Sequence, residues 1–594
     1  MEIKIAQREL QHQIPESDEY SLILRRIFAA RGVDVAEELD RSTSKILTYK
    51  SLKDIDKAVA AVYKAMQENL QIIVVGDFDS DGATSTALLV SMLQKFGAEN
   101  VDFIIPHRQK HGYGLSVAIV EELLDRYEPG LVITVDNGIS NIEGVQKLKE
   151  NGVNVVITDH HLYSGVLPAA DAIVNPNQEG CEFPSKNLAG VGVVFYLLVA
   201  LRRFLHNNKW FETKQIEIPS MLHQLDLVAL GTVADVVPLD ENNRLLVHYG
   251  LDVIKNRQCR VGISALLAIG RRDQGQIIAS DLSYCVGPRL NAAGRLADMT
   301  LGVRCLLTDN PIDADNIADK LNKLNTERRQ IEIEMQDNAD KSLQQINYSG
   351  ENAPYAICLY SENWHQGVIG ILASRLKESY HRPAAIFTKD SNGLMKGSCR
   401  SLAKLNIRDA LCSIAVSHPG IIEKFGGHAM AAGLTIQAEK FEEFKEIFNE
   451  IVASKLTLDD LNSTVFTDGM LPEENITLEF ARTLNKYGPW GQAFPEPIFE
   501  NIFHIVDQRI VGNNHLKLLL EVNETTTVNA ILFNADTDCW PNYDCIKAKF
   551  AFKLDINEYR GRKQVQLIVS HIEPIMINHE QVEKLEQEQS VEIL

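Results

Sequence analysis

The chain has 594 residues, more than one hydrophobic core can serve, so about four domains of ordinary size are expected. With 45% hydrophobic and 23% charged residues, its composition excludes a collagenous or wholly disordered chain. The net charge of −21 argues against wrapping of duplex DNA, yet leaves room for a local basic groove and for carboxylates that hold cations.

The opening "MEIKIAQREL" carries charges where a secretory signal has its apolar core, and residues 1–50 read as the N-terminal segment of a cytoplasmic protein. Nine scattered cysteines without a CxxC pair fit reduced thiols rather than a disulfide framework or a zinc site. Over 51–310 the chain alternates short Val/Ile runs with helical stretches. The runs are "QIIVV" (71–75), "VDFII" (101–105), "LVITV" (131–135), "VNVVIT" (153–158) and "AIV" (172–174), with helices expected near 83–96 and 141–150. This is the pattern of a parallel sheet with crossover helices. The apolar run Leu188 to Leu201 is shorter than the ~20 residues a membrane helix needs and reads as a buried helix.

Over 311–345, Ile317, Leu321, Leu324, Ile331 and Met335 recur at helical spacing, which predicts a long connecting helix within 311–350. A second, smaller α/β region follows over 351–461, with "YAICLY", "AAIF" and "HAMAAGLTI" as strands and "VIGILASRL" as a helix. Residues 462–575 read as a small β-barrel built on 515–522, 528–533, 546–554 and 563–569. The stretch 576–594 reads as an acidic tail.

Ligands of an open parallel sheet gather beyond the carboxyl ends of its strands. Strand 71–75 is followed by "GDFDSDG", with Asp77, Asp79 and Asp81; 131–135 by Asp136; 153–158 by Asp159, His160 and His161. Bare carboxylates crowded at one edge would repel, so a cation is expected among them. Oxygen donors with one or two imidazoles suit Mn²⁺ or Mg²⁺ better than a structural zinc. Two ions about 4 Å apart would polarise a phosphoryl group, activate water and steady the leaving oxygen. Asp79 and Asp81 could each reach a different ion, and Asp136 could bridge both. Asp77 could instead cap the following helix or order the loop, and Ser85 could cap or bond to a neighbour. Asp235 ends an apolar segment, where Asp is almost never buried unless paired or bound to metal, and is a further candidate ligand; Asp226 reads as structural.

The segments "GDFDSDGATS", "TVDNGIS", "TDHH" and "GTVADVVPL", in this order, resemble the DHH phosphoesterase superfamily, and within it the single-strand-specific exonucleases. "WHQGVIGILASRL" (364–376), "KGSCRS" (396–401) and "FGGHAMAAGLT" (425–435) are similar to the associated substrate-binding DHHA1 domain. The resemblance implies a parallel-sheet DHH catalytic domain over 51–310, the long helix over 311–350, DHHA1 over 351–461 and an OB-like nucleic-acid-binding barrel over 462–575. It implies two divalent ions, Mn²⁺ or Mg²⁺, on Asp79, Asp81, Asp136, His160 and Asp235, with His161 beside the scissile phosphate. Asp77 and Asp159 match family positions and are grouped with the catalytic residues. Phe78 and Ser80 stand where many members carry Tyr and Ala; neither supplies a ligand.

For the substrate, "PHRQKHGYGLS" offers Arg108 to a phosphate, Tyr113 to a base, and His111 beside them. By resemblance, Arg289, Asn291 and Arg295 of "VGPRLNAAGRL" belong to a phosphate-binding wall. His365 opens a Gly-rich helix start whose amides could face an anion. Ser398, Arg400, Gly426, Gly427 and His428 are expected to grip the strand. Lys389, Lys396, Arg400, Lys404 and Arg408 read as a local basic patch. In the barrel, Ile546, Ala548, Phe550, Phe552 and Leu554 are expected inside; Lys547, Lys549 and Lys553 are expected on a basic exterior, as are His515 and Lys517.

The function implied is a 5′→3′ exonuclease on single-stranded DNA that releases mononucleotides in recombination and repair. It would be a monomer working beside a helicase and a single-strand-binding protein. Two alternatives stand beside it. A DHH phosphodiesterase for short oligonucleotides or cyclic dinucleotides would have no need of the long helix and barrel. A catalytically inactive DNA-binding scaffold would have lost ligand positions, and here all are filled.

Overall fold

The structure, a computed structural model, describes residues 3–13, 21–33, 40–108, 110–163, 165–344, 353–390 and 393–575. The acidic tail over 576–594 and part of the 1–50 segment lie outside these residues. The chain forms two compact units, one of residues 40–457 with 489–494, the other of 1–39, 458–488 and 495–594.

In the larger unit, strands Val101–Ile104, Ile72–Val75, Leu131–Val135, Asn154–Thr158 and Ala172–Val174 lie side by side in that order, all parallel. Ile72–Val75 and Leu131–Val135 are buried along their whole length, as strands covered by helices on both faces must be. Their Val and Ile side chains meet those of helices Val117–Arg126 and Ile142–Glu150 in one core. The order reverses between Ile72–Val75 and Leu131–Val135, and ligands bind at such a switch point. Helix Gly190–Asn207 is long and apolar enough to cross a membrane by composition, but two thirds of it is buried inside the fold.

Helix Pro311–Leu343 matches the connecting helix, with Asn310 capping Ile312 N–H at 2.9 Å and Pro311 in its first turn. Its first half buries Ala314, Ala318 and Leu321; its second half, with Met335, Ala339 and Leu343, enters the core of the following sheet. That sheet runs Lys424–Gly427, Ala431–Ile436, Met395–Arg400, Ala384–Lys389, Ile357–Tyr360; its last pair is parallel and the others antiparallel.

The smaller unit contains a closed five-stranded barrel, in the order Phe499–Val511, His515–Asn523, Thr526–Leu532, Arg562–Pro574, Lys547–Tyr559. Phe499–Val511 was not expected; its polar and apolar residues alternate too irregularly around a bulge at Ile505/Asp507 to read as a strand. Ala548, Phe550, Phe552 and Leu554 are buried as expected, but Ile546 is 59% exposed. It precedes strand Lys547–Tyr559, so the strand alternation does not govern it. The basic exterior is partly neutralised: Lys549 pairs with Glu500 at 3.2 Å and Lys553 with Glu496 at 2.8 Å. In the same unit Ile3–Gln7 pairs in parallel with Ser463–Thr467, an association of distant segments that no local pattern announces.

Candidate metal centre and strand-binding surface

The acidic groups singled out as candidate ligands, Asp79, Asp81, Asp136 and Asp235, meet at the switch point with Asp77. Asp79 caps helix Ser80–Lys95, one oxygen accepting from the amides of Asp81 and Gly82 at 3.0 Å each. Asp81 accepts from the amides of Gly190 and Val191 at 2.6 and 3.0 Å, at the start of helix Gly190–Asn207, where the dipole favours an anion. Asp235 ends helix Leu225–Ala234. Asp226, at its other end, is buried and ion-paired with Arg260 at 2.5 Å, away from the cluster.

His160 Nε2 lies 3.1 Å from Asp136 Oδ1, 3.5 Å from Asp235 Oδ2 and 4.0 Å from Asp81 Oδ2. Donor atoms of Asp77, Asp79 and Asp136, of Asp81, His160 and Asp235, and of Asp136, His160 and His161 fall in three groups, each within 4.8 Å. Asp136 and His160 each belong to two of these groups. Asp77 Oδ1, Asp136 Oδ1 and His160 Nε2 are buried without a hydrogen-bond partner of acceptable geometry. Lone pairs that converge without bonding to one another fit a cation of high charge and oxygen preference. The electrostatics agree. Burial, with Asp79, pushes the Asp77 carboxyl well above its usual range, and burial with Asp81 does the same to Asp136. Burial with Asp235 raises Asp81 to about 7, and burial with Asp79 raises Asp235 to about 7. Only positive charge between them lets all four ionise at neutral pH.

Two backbone positions are strained. Asp136 has φ of 62° and Val236, next to Asp235, has φ of 60°; for a β-branched residue this is a real outlier.

Asp159 has a different task. Its Oδ1 accepts from the amides of His160 and His161 and from His161 Nδ1, at 2.7, 3.1 and 2.7 Å, and its Oδ2 accepts from Ile139 N–H at 2.9 Å. Against the effect of burial, His161 holds this carboxyl down to about 2, and Asp159 in turn lifts the imidazole to about 9 against the same burial. His161 Nε2 then faces Tyr113 Oη at 3.2 Å, and its ring stacks on His428 at 5.6 Å.

Three residues that the sequence did not single out, Asn137, Asn175 and Asn177, support these groups, as do Ser80 and Asn291. Asn177 Nδ2 donates to His160 O at 2.7 Å, Asn175 Nδ2 to His161 O at 2.9 Å, and Asn175 Oδ1 accepts Asn177 N–H at 2.7 Å. Asn137 Nδ2 donates to Val75 O and Val135 O, tying the two strands that flank the switch point. Ser80 N–H donates to Asn291 Oδ1 at 2.7 Å. The signal for Asn175 and Asn177 was "VNPN" at the fifth strand end, polar where three of the other strands carry acids. Ser85 Oγ is buried without a partner rather than capping.

The substrate candidates separate into inward and outward groups. Arg108 lies 3.8 Å over the Phe78 ring, and half-buried Arg295 donates from Nη1 to Gly367 O at 3.0 Å. Arg400 turns to Ser374 and Ser398 at 3.1 Å each. Burial and then repulsion from Arg108 and Arg400 depress Arg295 to about 9, so an anion beside these groups would be favoured. Arg400 therefore leaves the expected surface patch, and Lys396 is paired with Asp390 at 3.5 Å. His111 Nδ1 accepts from His107 N–H at 3.0 Å and its Nε2 lies 3.0 Å from Glu122, contacts that fasten the loop. Arg289 is held by Asn322 and Cys285 O, and Asn291 by Ser80. His365 Nδ1 accepts Gly367 N–H at 3.1 Å, so that amide is not open to an anion. Gly426 and Gly427 lie in strand Lys424–Gly427, just before His428.

Comparison with known proteins gives three family matches along the chain: the DHH family, N-terminal domain, over 71–232; the DHHA1 domain over 352–454; and the RecJ OB domain over 467–571. A single-stranded-DNA-specific exonuclease RecJ of Escherichia coli is 47% identical over 97% of this chain and 100% of its own length. The crystal structure of RecJ from Thermus thermophilus with Mn²⁺ superposes with a TM-score of 0.75 at 29% identity, over 94% of this chain and 77% of that one. Its complex with Mg²⁺ gives a TM-score of 0.71 at 27% identity, over 94% and 76%.

Proposed function

Because the chain belongs to the RecJ family of DHH proteins, we propose that it is a metal-dependent exonuclease that degrades single-stranded DNA from the 5′ end into 5′-mononucleotides. The observation that carries this reading is the meeting of buried, unpartnered carboxylate and imidazole atoms with three half-buried arginines in one unit.

Asp79, Asp81, Asp136, His160 and Asp235 would hold two divalent ions, Mn²⁺ or Mg²⁺, and Asp77 stands beside them. Bound there, the ions supply neutralisation of the scissile phosphate and activation of water. Arg108, Arg295 and Arg400 with Ser398 take a terminal phosphate, whose second negative charge suits three guanidinium groups better than an internal diester does. Tyr113 and His428 flank His161, whose Nε2 is the proton-bearing atom nearest the strand; Asp159 fixes its direction. In the reaction a water oxygen bonds to phosphorus, the bond to the terminal nucleotide's 3′ oxygen breaks, and that oxygen takes a proton. The shortened strand carries a new 5′-phosphate, so each product of the cut is a substrate for the next.

The division of labour we propose is catalysis on 51–310, connection by 311–350, strand binding by 351–461 and further strand binding by the barrel of 462–575. A channel between the two α/β regions admits one strand and rejects duplex. The protein acts in recombination and repair in the cytoplasm, as a monomer, beside a helicase and a single-strand-binding protein. The nine unbridged cysteines support a reducing compartment.

The test is cleavage with Mn²⁺ of a 5′-labelled single strand, a blunt duplex and a dinucleotide in parallel. Labelled mononucleotide from the single strand alone is expected, abolished by a chelator and by Asp136→Asn, with strand binding retained. Cleavage of the dinucleotide alone, or of nothing, would overturn the reading.

A further inference from the structure

Helix Gly287–Leu296 carries Arg295 of the arginine trio and packs through main chain against both the loop of the carboxylate cluster and the segment at Gly367. On one side, a Cβ on Gly294 would lie 1.8 Å from Phe78 O, the carbonyl between Asp77 and Asp79. On the other, a Cβ on Gly367 would lie 2.5 Å from Arg295 O. Gly367 leads into helix Ile369–Tyr380, on which Arg400 and Ser398 rest: a Cβ on Gly370 would meet Arg400 Nη2 and Ser398 Oγ at 3.0 Å each. Two consecutive residues, Gly294 and Arg295, thus seat directly on the backbone of the metal loop and on that of the anion-binding region.

The helix is also pinned. Asn291 Oδ1 accepts Ser80 N–H at 2.7 Å and lies 2.9 Å from Ser80 Oγ, which lies 3.1 Å from Gly287 O. Arg295 Nη1 donates to Gly367 O at 3.0 Å. Side-chain contacts can adjust by rotamer changes, but glycine-to-carbonyl contacts between backbones cannot.

We propose that Asn291, Gly294 and Gly367 are positioning residues that set the distance between the carboxylate cluster and the arginine trio, and thereby which phosphodiester, counted from the strand's end, is cut. The inference rests on the reading of the site given above. With the terminal phosphate held by the arginines, a displacement of about 1 Å takes the first diester off the reactive geometry, a loss that reaches about 10²-fold.

The experiment compares wild type with Gly294→Ala, Gly367→Ala, Asn291→Ala and Asn291→Asp. Substrates are 5′-phosphorylated and 5′-hydroxyl oligonucleotides, with products resolved by length, and Mn²⁺ binding is followed by electron paramagnetic resonance. Gly294→Ala and Gly367→Ala are expected to lower kcat about 10²-fold, to narrow the preference for 5′-phosphate, and to add dinucleotide to the products. Gly367→Ala, remote from the carboxylates, keeps wild-type Mn²⁺ binding. Asn291→Asp, which keeps both acceptor contacts, recovers the mononucleotide product that Asn291→Ala loses. The inference is overturned if folded Gly367→Ala and Asn291→Ala keep wild-type end preference and product length, even at reduced rate. A wild type that releases no mononucleotide from single strands would sink the underlying reading instead, whatever the variants do.

Discussion

Asp159 Oδ1 accepts a 2.7 Å hydrogen bond from His161 Nδ1. The same oxygen takes the amides of His160 and His161. One carboxylate therefore fixes both the turn and the ring, and the two imidazoles lie side by side with centroids 4.5 Å apart, His160 against Asp136 and His161 against Tyr113 and His428.

Asp159→Asn tests this arrangement. An amide can still accept from the main chain, but it no longer holds the His161 Nδ1–H against a full charge. Cleavage is expected to fall about 10²- to 10⁴-fold, while Mn²⁺ binding changes little because His160 keeps its other contacts. Single-turnover cleavage beside a Mn²⁺ titration measures both; unimpaired cleavage would remove Asp159 from the mechanism.

The asparagine clasp gives a second prediction. Asn175 is fully buried, and its loss leaves His161 O without its donor and Asn177 N–H without its acceptor. Asn175→Ala is expected to cost about 1–3 kcal/mol for the stranded groups. Supporting residues of this kind typically carry 10- to 100-fold in metal affinity, so Mn²⁺ binding should weaken by about that much. Chemical denaturation and a Mn²⁺ isotherm check the two effects separately. A variant that loses stability but binds Mn²⁺ as wild type would confine the clasp to folding.

The acidic side of the site was readable because strands end abruptly and Asp is rare at the close of an apolar run; Asp79, Asp136 and Asp235 all carry that mark. Asn175 and Asn177 do not, since they follow a three-residue strand, Ala172–Val174, and asparagine is ordinary in turns. The direction of a long side chain was not readable either. Arg400 alternates along a strand like a surface residue yet turns into the arginine trio, and His111 sits among exposed polar residues yet is fastened to Glu122. Within the barrel, alternation correctly assigned Phe550 and Phe552 but failed at Ile546, one residue outside the strand. The pairing of Ile3–Gln7 with Ser463–Thr467 depends on a sequence separation that no window spans.

Val236 concerns stored strain. Its side chain is 60% exposed, so little packing rewards a β-branched residue held at φ of 60°. Such a conformation costs about 1–3 kcal/mol, and asparagine adopts it far more readily. Val236→Asn is therefore expected to stabilise the protein by about 1 kcal/mol in chemical denaturation. If the strain aims Asp235 at the cluster, cleavage falls at the same time. Destabilisation would show that Val236 is not strained in solution.

The buried pair Arg31–Asp468 makes the last prediction, within the smaller unit. The two side chains are 1% and 0% exposed, with contacts of 2.6 and 3.0 Å between guanidinium and carboxylate. Arg31 also donates to Ile27 O and Pro495 O, and Asp468 accepts Ile498 N–H. Removing one partner of such a pair strands the other charge, at about 3–5 kcal/mol. Arg31→Met is expected to lose that much, and the loss should be local. Amides of Ile3–Gln7 and Ser463–Thr467 should exchange faster, while those of Ile72–Val75 keep their protection, because local opening follows the contacts that were removed. Hydrogen exchange resolves the two regions in one measurement, and equal acceleration in both would show that the pair supports the whole chain rather than the unit that contains it.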